Sequence, residues 1–131
     1  MKTLIFTLIA IFGLTTIAAA QSQDSFELKA GKEKTGSRSK LKVKFLSVLE
    51  DSRCPTGTQC VWAGNAKVKI SVTSKRLGTK VFELNTGMGA QGDQFDGFAI
   101  NLVSLTPTPA MNGKIDPKKY KAKFTITRLT R

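Results

Sequence analysis

Residues 51–64 read DSRCPTGTQCVWAG and lie between two long patterns of alternating polar and apolar residues that are typical of β-strands. The stretch holds both cysteines and the only tryptophan of the chain. We expect Cys54 and Cys60 to form a disulfide, because Pro55 and Gly57 favour the turn that brings them together. A ring of this size stabilises a fold by about 2 kcal/mol on the chain-entropy view of disulfides. The stretch therefore predicts how the fold is stapled, although it names no reaction.

The first twenty residues, 1–20, are typical of a cleaved signal peptide. Lys2 supplies the positive charge, residues 4–17 form an apolar run, and three alanines provide a cleavage site before Gln21. The apolar run is too short to span a membrane between polar flanks, and no cysteine follows the cleavage site to carry a lipid. Two cysteines in an exported chain also fit an oxidising compartment. The sequence predicts a secreted or periplasmic protein in which residues 21–131 form a single domain with no transmembrane span.

The composition is strongly basic. The formal net charge is +12, from 21 Lys and Arg against 9 Asp and Glu, and removal of Lys2 lowers the charge by one. An excess of this size attracts polyanions at long range. Most of the cations are lysines, whose ammonium is a hydrated point charge rather than a two-pronged fork. We expect non-specific attraction to an anionic polysaccharide, lipopolysaccharide or extracellular nucleic acid.

Six segments alternate between polar and apolar residues, and turn signals separate them. They begin near Phe26, Lys40, Ala66, Lys80, Phe98 and Tyr120. Residues 32–39 are predicted to be a loop or a weak hairpin return, residues 86–97 a glycine-rich loop, and Asn112-Gly113 a tight turn. The pattern predicts an all-β fold, either a single-domain antiparallel β-sandwich (immunoglobulin-like) or an open barrel, with one short-loop disulfide.

The strand predicted over residues 40–50 changes its alternation after Phe45. Leu46 and Val48 join the lysine face, while Leu49 remains on the opposite face. A β-bulge that shifts the register is one explanation, and cover on both faces is the other. We favour cover on both faces, because the strand runs directly into the stapled loop.

No catalytic constellation is visible. The chain has no histidine, so a Ser–His or Cys–His nucleophile is impossible and a zinc site would lack its usual ligands. Glu50 and Asp51 are a possible acid–base pair, but beside Arg53 we expect an ion pair that fixes the mouth of the loop. The sequence therefore predicts a protein that is not an enzyme and has neither cofactor nor metal.

Two weaker motifs lie in residues 86–97. Gly87, Gly89 and Gly92 match the spacing of the dinucleotide fingerprint, but that motif needs a following helix and a strand pattern follows here. We interpret the glycines as a flexible loop. Asp93 and Asp96 lack the alternating ligands and the distant glutamate of a calcium loop, so we interpret them as turn residues, with a loose Ca²⁺ site as the alternative.

The ring and the tryptophan beyond it are the candidate contacts of a secreted inhibitor or of a module that binds an envelope protein. They are Pro55, Thr56, Gly57, Thr58, Gln59 and Trp62. We expect the Trp62 ring to pack on the disulfide and cap the core. The alternative leaves the indole exposed as a platform for a sugar or a peptide.

Lysines on the polar faces of three strands are the candidate anion-binding residues. They are Lys40, Lys42, Lys44, Lys67, Lys69, Lys119, Lys121 and Lys123. If these strands were neighbours, eight ammonium groups would share one face and an anion would have to screen them. The favoured alternative is that they fall on different sheets or protect sheet edges against aggregation.

The stapled stretch also carries a resemblance. DSRCP at residues 51–55, followed by Cys60-x-Trp62-x-Gly64 before a strand, resembles the signature of small exported bacterial β-domains, known as uncharacterised secreted proteins or lipoproteins. The likeness extends through residues 105–107 to the Tyr120 strand. It implies an exported β-domain without an established activity, and it transfers no functional residue. Some relatives have a lipid-anchoring cysteine that this chain lacks, which implies a free protein.

Overall fold

The computed structural model describes residues 13, 23–111 and 113–130. Apart from Gly13, the predicted signal peptide lies outside this range, so its cleavage stays a prediction. Asn112 of the predicted tight turn is also outside the range. Its neighbours nevertheless fit a turn, because Ala110 and Gly113 form an isolated antiparallel bridge.

The described part of the chain contains eight strands and one short 3-10 helix, in agreement with the predicted all-β fold. The strands are β1 Gln23–Lys29, β2 Glu33–Thr35, β3 Lys42–Asp51, β4 Ala66–Ser74, β5 Gly78–Asn85, β6 Gly92–Phe95, β7 Phe98–Thr106 and β8 Lys121–Arg128. The 3-10 helix spans Pro117–Lys119 and precedes β8.

The strands form two four-stranded antiparallel sheets. One sheet has the order β1-β8-β7-β6 and the other β2-β3-β4-β5. Neighbours in each sheet follow the order of the chain, except that β1 lies beside β8. Strands β2 to β5 form one meander and β6 to β8 another. The two sheets do not close into a barrel, because β1 and β2 belong to different sheets, as do β5 and β6.

The core lies between the two sheets. Alternate residues of β4 are buried along its whole length, as the period-two pattern predicts. Phe124 of β8 contacts Phe26 in its own sheet and Phe45 in the other, with ring centroids 6.3 and 6.2 Å apart. The edge-to-face contact between Phe45 and Phe124 joins the two sheets at the centre of the molecule.

The change of pattern after Phe45 is caused by β-bulges. The pairing of β3 with β4 shifts register between Phe45 and Ser47 and again between Val48 and Glu50. Leu49 is 44% exposed, so the prediction of cover on both faces is wrong. The register shift keeps Val48 opposite the buried Val68, where it packs against the core, and leaves Leu49 on the exposed face.

Two strands were not predicted. β2 lies within residues 32–39, for which a loop and a weak hairpin return were the two interpretations, and it corresponds to the hairpin return. β6 lies inside the segment that was predicted to be a loop. β6 and β7 form a two-residue hairpin in which Phe95 pairs with Phe98 across Asp96 and Gly97. Both turn residues have positive φ angles, 49° and 78°. An Asp-Gly pair favours this turn, so the signal for the hairpin was in the sequence.

Candidate functional site

Residues 52–65, which we call the tip, join β3 to β4. Ser52 N donates to Asn65 O at 2.8 Å and Cys54 N donates to Ala63 O at 3.0 Å, so antiparallel pairing continues beyond the two strands. The predicted disulfide between Cys54 and Cys60 is confirmed, with the two Cα atoms 5.9 Å apart. The tip is thus an extension of the sheet with a covalent ring at its end.

The ring is also ordered by its own hydrogen bonds. Thr58 donates to Pro55 O from its backbone nitrogen at 3.3 Å and from its hydroxyl at 2.7 Å. Gly57 has a φ angle of 84°, which a residue with a Cβ atom adopts at a cost. Pro55 and Thr58 are half-buried, while Thr56, Gly57 and Gln59 are exposed. The exposed face of the ring is therefore held in one conformation.

The base of the tip is fixed by an ion pair. Arg53 donates to Asp51 from Nε and Nη2, each at 2.8 Å, and its guanidinium also donates to the carbonyl oxygens of Leu105 and Pro107. Such a planar fork can satisfy several acceptors at once. The predicted ion pair at the mouth of the loop is confirmed for Asp51, whereas Glu50 lies opposite Lys67 on the sheet.

Tyr120 completes this network. Its hydroxyl donates to Asp51 Oδ2 at 2.8 Å. Burial alone would raise the pKa of Asp51, but the hydrogen bonds from Arg53 and Tyr120 together with the Arg53 charge hold it below its usual range. Burial and the bond to Asp51 raise the pKa of Tyr120 to about 12. Asp51 therefore stays ionised and Tyr120 neutral at neutral pH, as a structural role requires. We call the network of Asp51, Arg53 and Tyr120 the Arg53 brace.

Two other loops are tied to the tip. Thr56 N donates to Pro109 O at 2.9 Å, and Asn65 Oδ1 accepts from the backbone nitrogens of Gly87 and Met88 at 3.0 and 3.2 Å. Gly64 cannot carry a side chain here, because a Cβ atom would collide with Ser52 O. The role of Asn65 was not predicted, although asparagine side chains at turns commonly form hydrogen bonds with nearby backbone groups.

Apolar side chains are exposed on the tip and on the two loops tied to it. Val61 is 94% exposed and Trp62 73%, and Met88 and Met111 on the neighbouring loops are exposed by about two thirds. The prediction that Trp62 caps the core is wrong, and the alternative of an exposed ring is confirmed. Strand pairing and the ring fix the backbone of the tip, so no core position is left for the indole.

The lysine candidates do not share one face. Lys42, Lys44, Lys67 and Lys69 lie on β3 and β4, whereas Lys121 and Lys123 lie on β8 in the other sheet. Lys40 precedes β3, and Lys119 ends the 3-10 helix. Several have a glutamate as their cross-strand partner: Lys44 and Glu33, Lys67 and Glu50, Lys69 and Glu83, and Lys123 and Glu27. The arrangement matches the alternative in which the lysines fall on different sheets.

The glycine-rich segment leads into a strand. Gly92 begins β6, so no helix N-terminus follows the fingerprint-like spacing. Asp93 accepts a hydrogen bond from the adjacent backbone nitrogen, and Asp96 pairs with Arg76. Within residues 23–111 and 113–130, no group of three or more acidic or cysteine side chains is placed to hold a metal ion.

In the described part of the chain, no helix has the length and apolar composition needed to cross a membrane. Comparison with protein-family models, with curated proteins and with solved structures found no significant match. The resemblance carried by residues 51–64 therefore stays a prediction.

Proposed function

We propose that this protein is an exported, non-catalytic binding module that docks a protein partner through the tip. The exposure of Val61 and Trp62 on a disulfide-closed hairpin is the observation that carries the proposal. Export is supported by the signal-like residues 1–20 and by the disulfide, which persists in oxidising compartments.

The chemistry of the tip suits a protein partner. No charged residue occurs between Cys54 and Ala66, so docking desolvates no ionic group of that stretch. Tryptophan is among the residues that contribute most to binding when a partner buries them. Because the disulfide and the Arg53 brace already fix the backbone, little conformational entropy is lost on docking. An inhibitor needs the same properties, so a protease is one class of partner that the proposal includes.

The test compares three immobilised proteins for the capture of envelope and secreted proteins from the source cell. They are the unaltered protein, Trp62→Ala, and Leu77→Ala as a matched control, since Leu77 is also exposed, at 52%, in the turn between β4 and β5. We expect at least one protein to be captured by the unaltered protein and the control, and its capture to fall by about tenfold or more with Trp62→Ala. Equal capture by Trp62→Ala and the control would contradict the proposal.

Binding of an anionic polymer is a second candidate, in line with the formal net charge of +12. The specific observation is that Lys29 and Lys121 are direct cross-strand partners on β1 and β8. Like charges in such a pair repel each other, and a bound polyanion relieves the repulsion. The glutamates opposite Lys44, Lys67, Lys69 and Lys123 weaken this candidate relative to the tip.

A further inference from the structure

A small groove at the end of the β2–β5 sheet farthest from the tip is lined by three lysines and three hydroxyl residues. Its volume is about 260 Å³, and its lining residues are Thr35, Lys40, Lys42, Thr73, Ser74 and Lys75. We call it the lysine groove. Lys42 begins β3 and Ser74 ends β4, whereas the tip joins the other ends of these two strands.

Strand register brings the groove together. Lys42 is the cross-strand partner of Thr35 on one side and of Thr73 on the other. Lys75 directly follows β4. Lys42 therefore lies between two threonines in the sheet, and Lys75 lines the groove from the neighbouring turn.

Lys40 reaches the groove from a tightly held turn. Its φ angle is 60°, a conformation that side chains other than glycine and asparagine adopt rarely. The turn closes through Lys40 N, which donates to Gly36 O at 3.0 Å, and through Gly36 N, which donates to Leu41 O at 2.9 Å. Asp24 of β1 accepts a hydrogen bond from the backbone nitrogen of Ser39 at 2.8 Å and so ties the turn to β1. A strained lysine held by its surroundings is a feature found at binding sites.

The groove is positively charged. No acidic residue lines it, and among the residues that the structure describes, Lys40 and Lys75 make no ion pair. Lys42 has one exposed partner, Glu33, with the charged atoms 3.9 Å apart. Three ammonium groups close together repel one another unless an anion lies between them.

We propose that the lysine groove binds a single phosphate or sulfate group. Ammonium groups donate charge-assisted hydrogen bonds to such oxyanions, and threonine hydroxyls can donate to the remaining oxygens. The volume is below the range usual for drug-sized ligands, so the groove suits one anionic head group rather than a length of polymer.

This proposal is independent of the tip. β3 has 10 residues, so at about 3.3 Å per residue the groove and the tip are separated by the length of a long strand. It is also distinct from binding of a polymer by lysines on the sheet faces, because only the groove predicts a saturable site for a small ion.

The test is a titration followed by amide chemical shifts, with inorganic phosphate, inorganic sulfate and glucose 6-phosphate as separate probes. We expect saturable shifts confined to residues 35–42 and 73–76. Lys40→Gln/Lys75→Gln should raise the dissociation constant by about tenfold or more, since two charge-assisted bonds are removed. Lys67→Gln/Lys69→Gln removes the same charge from the sheet face and should change the constant less than about twofold.

The probes also identify the source of the group. Tighter binding of the sugar phosphate than of inorganic phosphate supports a head group on a larger molecule, and equal binding supports a free oxyanion. The single variant Lys75→Gln, in an exposed turn, provides a second measurement if the double variant folds poorly. Shifts that do not saturate, or equal weakening by the groove and sheet-face variants, would overturn the proposal.

Discussion

At the scale of single residues, Asp24 shows how one buried carboxylate organises a neighbouring loop. It is 6% exposed and accepts from Ser37 Oγ, Arg38 N and Ser39 N. Burial alone would raise the pKa of Asp24, but these hydrogen bonds, that from Ser39 foremost, hold it below its usual value of 3.8. A Cβ atom on Gly36 would collide with this carboxylate, so the turn requires glycine at position 36 as long as Asp24 occupies its present place.

We predict that Asp24→Asn destabilises the protein by about 1–3 kcal/mol at neutral pH, because the amide nitrogen cannot accept the bonds that one carboxylate oxygen accepted. A lowered pKa in the folded state means that Asp24 stabilises the fold above pH 3.8 and that this contribution is lost as the pH falls through the folded-state value. The difference in unfolding free energy between the two proteins should therefore shrink below about pH 4.

Urea unfolding followed by far-UV circular dichroism between pH 2 and 7 measures this difference. Asp93→Asn is the matched control, because Asp93 is exposed and bonds only to the next backbone nitrogen. A penalty for Asp24→Asn that stays constant across the pH range would contradict the argument. The role of Asp24 could have been suspected from the sequence, because it shares the inward phase of Phe26 and Leu28 in β1.

At the scale of elements, the long alternating strands were predictable and the short ones were not. The alternation of β4 and β8 continues for eight or nine residues, so only one face can be buried. β2 has three residues, all exposed, and therefore gives no hydrophobic pattern. β6 was predictable only through its Asp-Gly turn, because its four residues alternate too briefly.

The candidate site was predictable in its covalent part and its brace, but not in its surface. Residue types and spacing predicted the disulfide and the Arg53–Asp51 pair. The exposure of Trp62 depends on how far the pairing of β3 with β4 continues into the tip. The two register shifts in that pairing could not be located from the alternation of β3 alone.

We predict that Cys54→Ser/Cys60→Ser lowers the unfolding free energy by about 2 kcal/mol without changing the fold, since the ring constrains only the unfolded chain and the tip. Strand pairing and the Arg53 brace remain, so far-UV circular dichroism should be unchanged. Limited proteolysis should cut residues 55–62 faster in the variant. Equal cleavage of both proteins would contradict a staple that orders the tip.

At the scale of the whole molecule, the two candidate binding surfaces lie far apart. The meander places the tip at one end of the β2–β5 sheet and the lysine groove at the other. The strand lysines outside the groove are distributed over both sheets, and four of them, Lys44, Lys67, Lys69 and Lys123, lie opposite glutamates. Encounters with polyanions are therefore favoured over the whole surface, but no single face concentrates the charge.

We predict that any affinity for heparin or DNA falls steeply and smoothly with salt, because counterion release drives it. Lys42→Gln/Lys69→Gln/Lys121→Gln should weaken binding and flatten the salt slope by about one unit for each phosphate that the variant no longer neutralises. Stability should barely change, since these side chains lie on the solvent faces of their strands. Unchanged binding of the triple variant at every salt concentration would show that these lysines serve only solubility.

The exposed indole of Trp62 also makes the protein a spectroscopic probe of its own tip. Trp62 is the only tryptophan and is 73% exposed, so its fluorescence in the folded state should already be close to that of the unfolded chain. We expect its emission to change little during urea unfolding, while far-UV circular dichroism records a cooperative transition. A partner that covers the tip should instead shift the emission to shorter wavelength without any unfolding. In this protein, tryptophan fluorescence would thus measure whether a partner occupies the tip, and it would be a poor measure of unfolding.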